Sequence, residues 1–214
     1  MKYDTSQYET VSLKLLTSPA SPYSRKVKVL LHETGLIDAL DLVAVNTKPT
    51  AVDPQLQSAN PLGKIPCLIR DNAPALYDSR VICRFLDQQA GGNFYPDEKL
   101  WDVLIVEATA EGILDSALSM VYERRFRPEP LQSNAWISAQ WQKIKGALQA
   151  LDTDWMTELN APTHMGHIAV GCALGYLDFR LDAQNWRAGH SSLAAWYDAF
   201  KLRPSMQATA PKDT

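Results

Sequence analysis

Residues 11–24 of this chain read Val-Ser-Leu-Lys-Leu-Leu-Thr-Ser-Pro-Ala-Ser-Pro-Tyr-Ser, a short apolar run followed by two Ser-Pro breaks. The apolar run ends at Ser18-Pro19, which predicts a β-strand followed by a loop. Beyond Ser21-Pro22, apolar side chains recur at helical spacing up to Gly35, a residue type that favours a helix C-terminus. The stretch therefore predicts a strand–loop–helix unit.

Strand and helix patterns continue outward from this unit to residue 90. Four further segments carry them, a strand at residues 40–45, a strand at 65–69, a hairpin partner at 75–77 and a helix at 78–90. The polar turn Asp71-Asn72 separates the two strands of the hairpin, and Gly91-Gly92 stops the helix. Residues 46–60 carry two prolines and are expected to form a loop or an irregular helix.

The second half of the chain has a different character, because strand signals vanish after residue 97. Long helical patterns occupy residues 100–126, 133–159, 168–180 and 193–200, and the last is expected to end at Pro204. The chain is thus predicted to be α/β plus all-α. A thioredoxin-like domain (residues 12–90) is followed by a linker (91–99) and a helical bundle (100–204).

The composition excludes several classes of protein. Of 214 residues, 46% are hydrophobic and 21% are charged, and the formal net charge is -3. This balance is typical of a folded globular protein, and the lack of a basic excess argues against nucleic acid as a partner. Three scattered cysteines favour a reducing compartment. With no signal-like start and no run of roughly 18 apolar residues, we expect a soluble, cytoplasmic protein without a membrane partner.

Ser21-Pro22-Tyr23-Ser24 lies between the first strand and the first helix, where a thioredoxin-like unit carries Cys-x-x-Cys and glutaredoxins carry Cys-Pro-Tyr-Cys. A hydroxyl cannot perform thiol–disulfide exchange, so the motif argues against a dithiol reductase. A hydroxyl at a helix N-terminus can instead donate a hydrogen bond to the thiolate of a bound molecule. The alternative is that Ser21 is an ordinary N-cap with proline at the first helical position.

Gly63-Lys64-Ile65-Pro66-Cys67 places a proline inside a predicted strand, where it removes one donor from the hydrogen-bond ladder. A cis bond between Ile65 and Pro66 would turn the main chain of Ile65 toward a ligand, as the edge of a sheet does for an extended peptide. The alternative is an edge proline with no ligand. Cys67 is expected to be a small buried hydrophobe rather than a nucleophile.

Asp78-Ser79 stands at the head of the helix predicted at residues 78–90. A helix N-terminus with a hydroxyl and backbone N–H groups favours a bound carboxylate. The alternative for this pair is a plain helix cap.

In this order and spacing, the three motifs resemble the amino-terminal domain of the glutathione S-transferase family. Residues 18–27, Ser-Pro-Ala-Ser-Pro-Tyr-Ser-Arg-Lys-Val, are similar to the signature of its serine-type members. Asn-Pro-Leu-Gly-Lys-Ile-Pro at 60–66 and Asp-Ser-Arg-Val-Ile at 78–82 are similar to its two glutathione-contacting motifs. Residues 172–180, Cys-Ala-Leu-Gly-Tyr-Leu-Asp-Phe-Arg, resemble the central helix of bacterial, YibF-like members.

The resemblance implies roles for particular residues in a site for glutathione, the expected co-substrate. Ser21 would be the catalytic serine whose hydroxyl holds the sulfur of glutathione as a thiolate. The main chain of Ile65, before a cis Pro66, would pair with the cysteinyl group. Ser79 would hold the γ-glutamyl carboxylate and Asp78 its amino group, often with help across a homodimer. Two lysines are weaker candidates for the glycine carboxylate, Lys64 and Lys48.

The resemblance also implies that a small electrophile reacts in a cleft between the two domains. Tyr122 and Met120 lie on the helix expected to line that pocket, although a core role suits them as well. Arg125 belongs to a basic cluster at residues 124–127 that either complements the end of a helix or attracts an anionic electrophile.

The sequence is compatible with three functions. The first is conjugation of glutathione to small electrophiles. The second is glutathione-dependent isomerisation, dehalogenation or peroxide reduction on the same scaffold. The third is a non-catalytic regulatory or ligand-carrying protein, which the retained Ser21 disfavours.

His164 and His167 stand where the family commonly has a Ser/Thr-x-x-Asp capping box, and two histidines are not expected to reproduce it. Thr163 could cap the helix one residue earlier. The two histidines are expected on the surface, and no cysteine or carboxylate completes a metal site with them, so we expect no metal.

Overall fold

The computed structural model of the chain describes residues 13–213, which divide into two compact units. The first unit ends at Gly92, and the second runs from Asn93 to Lys212. Residues 11 and 12 of the predicted first strand lie outside the described residues. Within residues 13–213, no helix combines the length and the apolar character needed to cross a membrane.

The first unit alternates strands and helices in the predicted order. Its elements are β1 (Leu13–Thr17), α1 (Pro22–Glu33), β2 (Leu40–Ala44), α2 (Pro54–Ala59), β3 (Cys67–Arg70), β4 (Ala73–Leu76) and α3 (Ser79–Ala90). The strands form one sheet in the order β2-β1-β3-β4. β1 is parallel to β2 and antiparallel to β3, which is antiparallel to β4. This is the predicted thioredoxin-like arrangement, with α2 as a short helix in the segment expected to be irregular.

Both faces of the sheet are covered. Leu15 and Leu16 of β1 are both fully buried, and successive side chains of a strand point to opposite faces. Leu16 packs with Leu56 of α2 and Cys67 of β3. Full burial of each leucine contributes about 2 kcal/mol, so the sheet is a firm support for the loops at its ends.

Residues with left-handed backbone end two of these elements. Asn72 has φ 58° in the turn between β3 and β4, as its place in a tight hairpin predicts. Gly91 has φ 60°, and its N–H donates to the carbonyls of Asp87 and Gln88, which closes α3. The predicted stop at Gly91-Gly92 is therefore confirmed.

The second unit is helical throughout its regular elements, as predicted. They are α4 (Leu100–Phe126), α5 (Asn134–Thr153), α6 (Met156–Leu159), α7 (Met165–Arg180), α8 (Ser191–Phe200) and α9 (Pro204–Ala208). α4 packs against both α5 and α7. Every residue of α7 from Met165 to Leu177 is buried, which makes α7 the central helix of the bundle.

The single helix predicted at residues 133–159 is wrong, because the chain leaves the helix after Thr153. The side chain of Thr153 donates to the carbonyl of Gln149 and to Asp154. Asp152 accepts the backbone N–H of Leu193, in the first turn of α8. Short polar side chains that bond to backbone groups favour helix ends, so residues 152–154 end α5 despite the apolar pattern that continues beyond them.

The expected stop at Pro204 is also wrong in its detail. α8 already ends at Phe200, and Pro204 is the first residue of α9. Proline fits the first turn of a helix, because the N–H it lacks would have no partner there and its φ is already helical.

The expectation of surface histidines at the start of α7 is wrong, because His164 and His167 are 3% and 2% exposed. They form a capping box. The Gly166 N–H donates to Nδ1 of His164 over 3.0 Å, and the His164 N–H donates to Nδ1 of His167 over 3.2 Å. Nitrogen lone pairs thus perform what a hydroxyl and a carboxylate do in the usual box.

This cap fixes the protonation of both rings. An Nδ1 atom that accepts a hydrogen bond carries no proton, so each neutral ring holds its proton on Nε2. Nε2 of His164 lies 3.0 Å from Oε1 of Glu158, whose carboxylate also pairs with Lys99. Burial lowers the pKa of both imidazoles, and that of His167 falls to about 4. Protonation of either ring places a second donor against a backbone N–H and breaks the cap.

We expect the second unit to lose stability in mild acid. Because the folded pKa of His167 is depressed, its contribution is complete above the unfolded value of 6.5 and is lost as the pH falls toward 4. The free energy of unfolding should drop by on the order of 3 kcal/mol over that range. Urea titrations at successive pH values measure the loss.

The double variant His164→Ser/His167→Asp restores an oxygen-based capping box. Its free energy of unfolding should depend less on pH over this range than that of the wild type. His32→Gln, a substitution on α1, is the matched control and should leave the profile as in the wild type. Coincident profiles for the wild type and the double variant would contradict the imidazole cap.

Candidate functional site

The segments that hold the candidate residues of the first unit meet at one end of the sheet. β1 and β4 end there and β3 begins there, because β3 is antiparallel to both of its neighbours. Ser21 follows β1, Ile65 precedes β3 and Asp78 follows β4. β2 is parallel to β1, so Lys48 follows a strand that ends at the same side. The topology therefore brings residues that are far apart in sequence to the same end of the sheet.

Ser21 is a helix cap and a possible hydrogen-bond donor at once. It is the N-cap of α1 with proline at the next position, and its Oγ accepts the Ser24 N–H over 3.2 Å. Among the described residues no acceptor receives its hydroxyl proton. A serine hydroxyl has one donor and two acceptor sites, so capping uses an acceptor and leaves the donor. The two interpretations of Ser21 are therefore compatible.

The loop before β3 is ordered by Asn60, a role that was not predicted from the sequence. This side chain is 1% exposed, and its Nδ2 donates to the Lys64 carbonyl over 2.7 Å. Its Oδ1 accepts the Leu62 N–H over 3.0 Å. Gly63 has φ 60°, and a Cβ there would lie 2.9 Å from Val52. Asparagine before Pro-Leu-Gly is a turn signature that could have predicted this role.

Ile65 presents an open main chain at the start of β3. The peptide bond between Ile65 and Pro66 is cis, as predicted. Strand pairing begins only at Cys67, opposite Leu16. Neither the N–H nor the C=O of Ile65 has a hydrogen-bond partner among residues 13–213. Its side chain packs on the cluster of Leu16, Leu56 and Cys67, so the sheet fixes where these two backbone groups lie.

Ser79 is the first residue of α3 and is 2% exposed. In the described part of the chain its hydroxyl has no hydrogen-bond partner. Asp78 caps the helix by accepting the Arg80 N–H, and its carboxylate pairs with the Arg80 guanidinium at 2.7 Å. Partial burial would raise the pKa of Asp78, but the hydrogen bonds and charge of Arg80 outweigh it, and the pKa lies below its usual value.

The two candidate lysines are both exposed. Lys64 is positioned through its own carbonyl, which Asn60 binds. Lys48 and Ala51 exchange two backbone hydrogen bonds of 3.0 Å, which form a small bridge in the β2–α2 connection.

The candidates of the second unit differ in accessibility. Met120 is only 2% exposed, whereas Tyr122 is 37% exposed and Arg125 lies on the surface. Burial raises the pKa of Tyr122 despite the opposing charge of Arg125. The burial of Met120 favours the packing role that its place on an apolar helix allowed.

The cysteine side chains are all fully buried. They are Cys67, Cys83 and Cys172. Burial raises the pKa of Cys67 to about 11, so its thiol is protonated at neutral pH. Within residues 13–213, no three His, Cys, Asp or Glu side chains are grouped as a metal site would require.

Comparison with known proteins gives matches over almost the whole chain. A family model described as "Glutathione S-transferase, N-terminal domain" matches residues 20–89, and one described as "Glutathione S-transferase, C-terminal domain" matches residues 134–199. The chain is also similar to YibF of Escherichia coli K12, described as an uncharacterized GST-like protein. The two are 30% identical over 205 residues, which cover 93% of this chain and 98% of YibF.

Two solved structures of a glutathione transferase family member from Pseudomonas fluorescens Pf-5 are similar to the chain. One holds bound glutathione, with 45% identity and a TM-score of 0.92. The other holds bound S-(propanoic acid)-glutathione, with 44% identity and a TM-score of 0.87. Each match covers 94% of this chain and 100% of the other.

We expect Asn60→Ala to loosen the loop that carries Ile65. The substitution removes both side-chain hydrogen bonds of a buried amide, which costs about 1–3 kcal/mol in the free energy of unfolding. Hydrogen exchange at the Leu62 and Gly63 amides should accelerate. Asn46→Ala, at an exposed asparagine of the β2–α2 connection, is the control. Unchanged exchange in Asn60→Ala would show that the loop is ordered by something else.

Proposed function

This chain belongs to the glutathione S-transferase family, and from that membership we propose that it conjugates glutathione, through its thiolate sulfur, to small electrophiles. The observation that carries the proposal is the convergence at one sheet edge of the Ser21 hydroxyl, the unpaired main chain of Ile65 and the N-terminus of α3. Glutathione bound in the relative from Pseudomonas fluorescens Pf-5 supports the same co-substrate here.

In this proposal the tripeptide lies extended along the edge. Its cysteinyl N–H and C=O pair with the C=O and N–H of Ile65, as an added strand does. Its γ-glutamyl carboxylate accepts from the Ser79 hydroxyl and the first N–H groups of α3. Its ammonium group pairs with the Asp78 carboxylate. The existing pair of Asp78 with Arg80 permits this, because it is half-exposed and only weakly stabilising. Lys64 and Lys48 are the candidates for the glycine carboxylate.

Ser21 would assist the chemical step by stabilising the thiolate of glutathione. A free thiol with pKa about 8.5 is only about 3% ionised at neutral pH. Lowering that pKa by about two units requires about 2.7 kcal/mol of differential stabilisation. One charge-assisted hydrogen bond from the Ser21 hydroxyl, with the positive end of α1, is of that size. The thiol proton leaves to solvent, and the sulfur lone pair attacks the electrophile.

We place the electrophile contacts in the second unit, at Tyr122 and Arg125. Both side chains are accessible and lie three residues apart on one face of α4. Met120 would contribute packing rather than an exposed contact. The relative's bound S-(propanoic acid)-glutathione, whose sulfur bears a propanoic acid, supports a thioether product.

We further propose a cytoplasmic homodimer. The three cysteines form no disulfide in the described part of the chain, which suits a reducing compartment. Large apolar side chains that a second subunit could cover are exposed on α3 and α4, namely Val81, Trp101 and Ile105.

We expect Ser21→Ala to lower kcat/KM for a generic aryl halide at least about tenfold, while glutathione still binds. Ser21→Asp separates catalysis from capping, because aspartate keeps a capping oxygen but has no proton for a thiolate. Activity should fall in both variants, but only Ser21→Ala should lose about 1 kcal/mol of stability. Ultraviolet titration of the bound thiol should give a higher pKa in both.

Ser58→Ala, at an exposed serine of α2, is the control and should behave as the wild type. Full turnover by Ser21→Ala would assign thiolate stabilisation to another group. Failure of the wild type to turn over any of a panel of electrophiles would favour a non-catalytic ligand carrier.

A further inference from the structure

Two adjacent helices of the second unit bring two arginines and two tyrosines together. Tyr122 and Arg125 are three residues apart on α4, and Tyr176 and Arg180 are four apart on α7, so each pair shares one helix face. α4 and α7 pack against each other. The Tyr176 hydroxyl lies within electrostatic range of Arg180, Arg125 and Tyr122, so the four side chains are close to one another.

The α7 pair is fixed in place. Tyr176 is 3% exposed, and Arg180 is half-buried with its guanidinium carbon 3.8 Å from the centre of the Phe179 ring. Burial raises the pKa of Tyr176 to about 12 despite the opposing charge of Arg180. The phenol is therefore neutral at physiological pH and keeps a proton to donate. Arg125, across from this pair, is exposed.

The neighbours of Arg125 already serve the end of α4. Arg124 donates to Gln132 and Asn134, and Arg127 pairs with Glu123 at 2.8 Å. Gln132 in turn binds the carbonyls of Arg124 and Arg127. Arg125 has no carboxylate partner in the described part of the chain; its guanidinium lies 6.0 Å from the Phe126 ring. Arg125 thus takes no part in the side-chain hydrogen bonds that close this end of the helix, and its N–H groups are open to a ligand.

We infer that Arg125 and the Arg180–Tyr176 pair bind a carboxylate on the electrophile, which makes anionic electrophiles the preferred substrates. The inference rests on the proposed transferase activity. Guanidinium groups bind carboxylates through paired N–H donors, and a phenol adds a third donor. Binding one end of the electrophile in this way restricts its orientation, and a restricted orientation lowers the entropic cost of the reaction.

A matched pair of substrates tests the inference, 4-(bromomethyl)benzoate and its methyl ester. In both, the glutathione thiolate attacks the benzylic carbon, a C–S bond forms, and the C–Br bond breaks with its electron pair leaving on bromide. Only the first carries a free carboxylate, and this group does not change in the reaction. The ratio of kcat/KM for the acid to kcat/KM for the ester, after correction for the uncatalysed rates, is the readout.

We expect the wild type to prefer the acid. Arg125→Met and Arg180→Met should each lower the ratio at least about tenfold, and Tyr176→Phe should lower it by a smaller factor. Lys145→Gln, which removes one exposed positive charge from α5, is the matched control and should leave the ratio as in the wild type. Arg125 is exposed, so its variant is expected to fold even if a substitution at the half-buried Arg180 does not.

A ratio unaffected by Arg125→Met, or lowered equally by Lys145→Gln, would overturn the inference. Turnover of the ester without preference for the acid overturns it as well but leaves the transferase proposal standing. No turnover of either compound by the wild type would instead contradict the transferase proposal itself.

Discussion

The antiparallel pairing of β3 with β1 and β4 is the constraint on which the site depends. It reverses the chain so that the end of β1, the start of β3 and the end of β4 share one edge of the sheet. A hydroxyl, an open stretch of main chain and a helix N-terminus thereby become neighbours. Both faces of the sheet are buried, so this arrangement rests on the core rather than on contacts among the site residues.

Local signals predicted most of the fold. α4 begins and ends as its periodicity indicates, and the caps at Ser21 and Gly91 follow from residue type and position. The break after Thr153 could not be found in this way. Asp152 there binds the N–H of Leu193, a contact between residues distant in sequence. A pattern of apolar residues reports which face of a helix is buried, but not where a tertiary contact ends the helix.

Local sequence signals also predicted most, but not all, of the candidate site. The cis bond before Pro66 and the cap at Ser21 were expected from their motifs. Asn60 was missed because its function is to bind backbone groups of its own loop. The sequence does not distinguish Arg124, Arg125 and Arg127 from one another. The structure shows that Arg124 and Arg127 bond within the α4–α5 connection, whereas Arg125 does not. The buried histidines show that an imidazole nitrogen replaces an oxygen acceptor where its proton is on the other side of the ring.

Under the proposed transferase function, the complete burial of Cys67, Cys83 and Cys172 has a consequence for the protein's own thiols. Any accessible sulfhydryl of its own would compete with the bound tripeptide for the electrophile and become alkylated. With these side chains enclosed in the core and the ionisation of Cys67 suppressed, the reactive sulfur would be that of glutathione, which is replaced after every turnover. The polypeptide would thereby avoid alkylation by its own substrates.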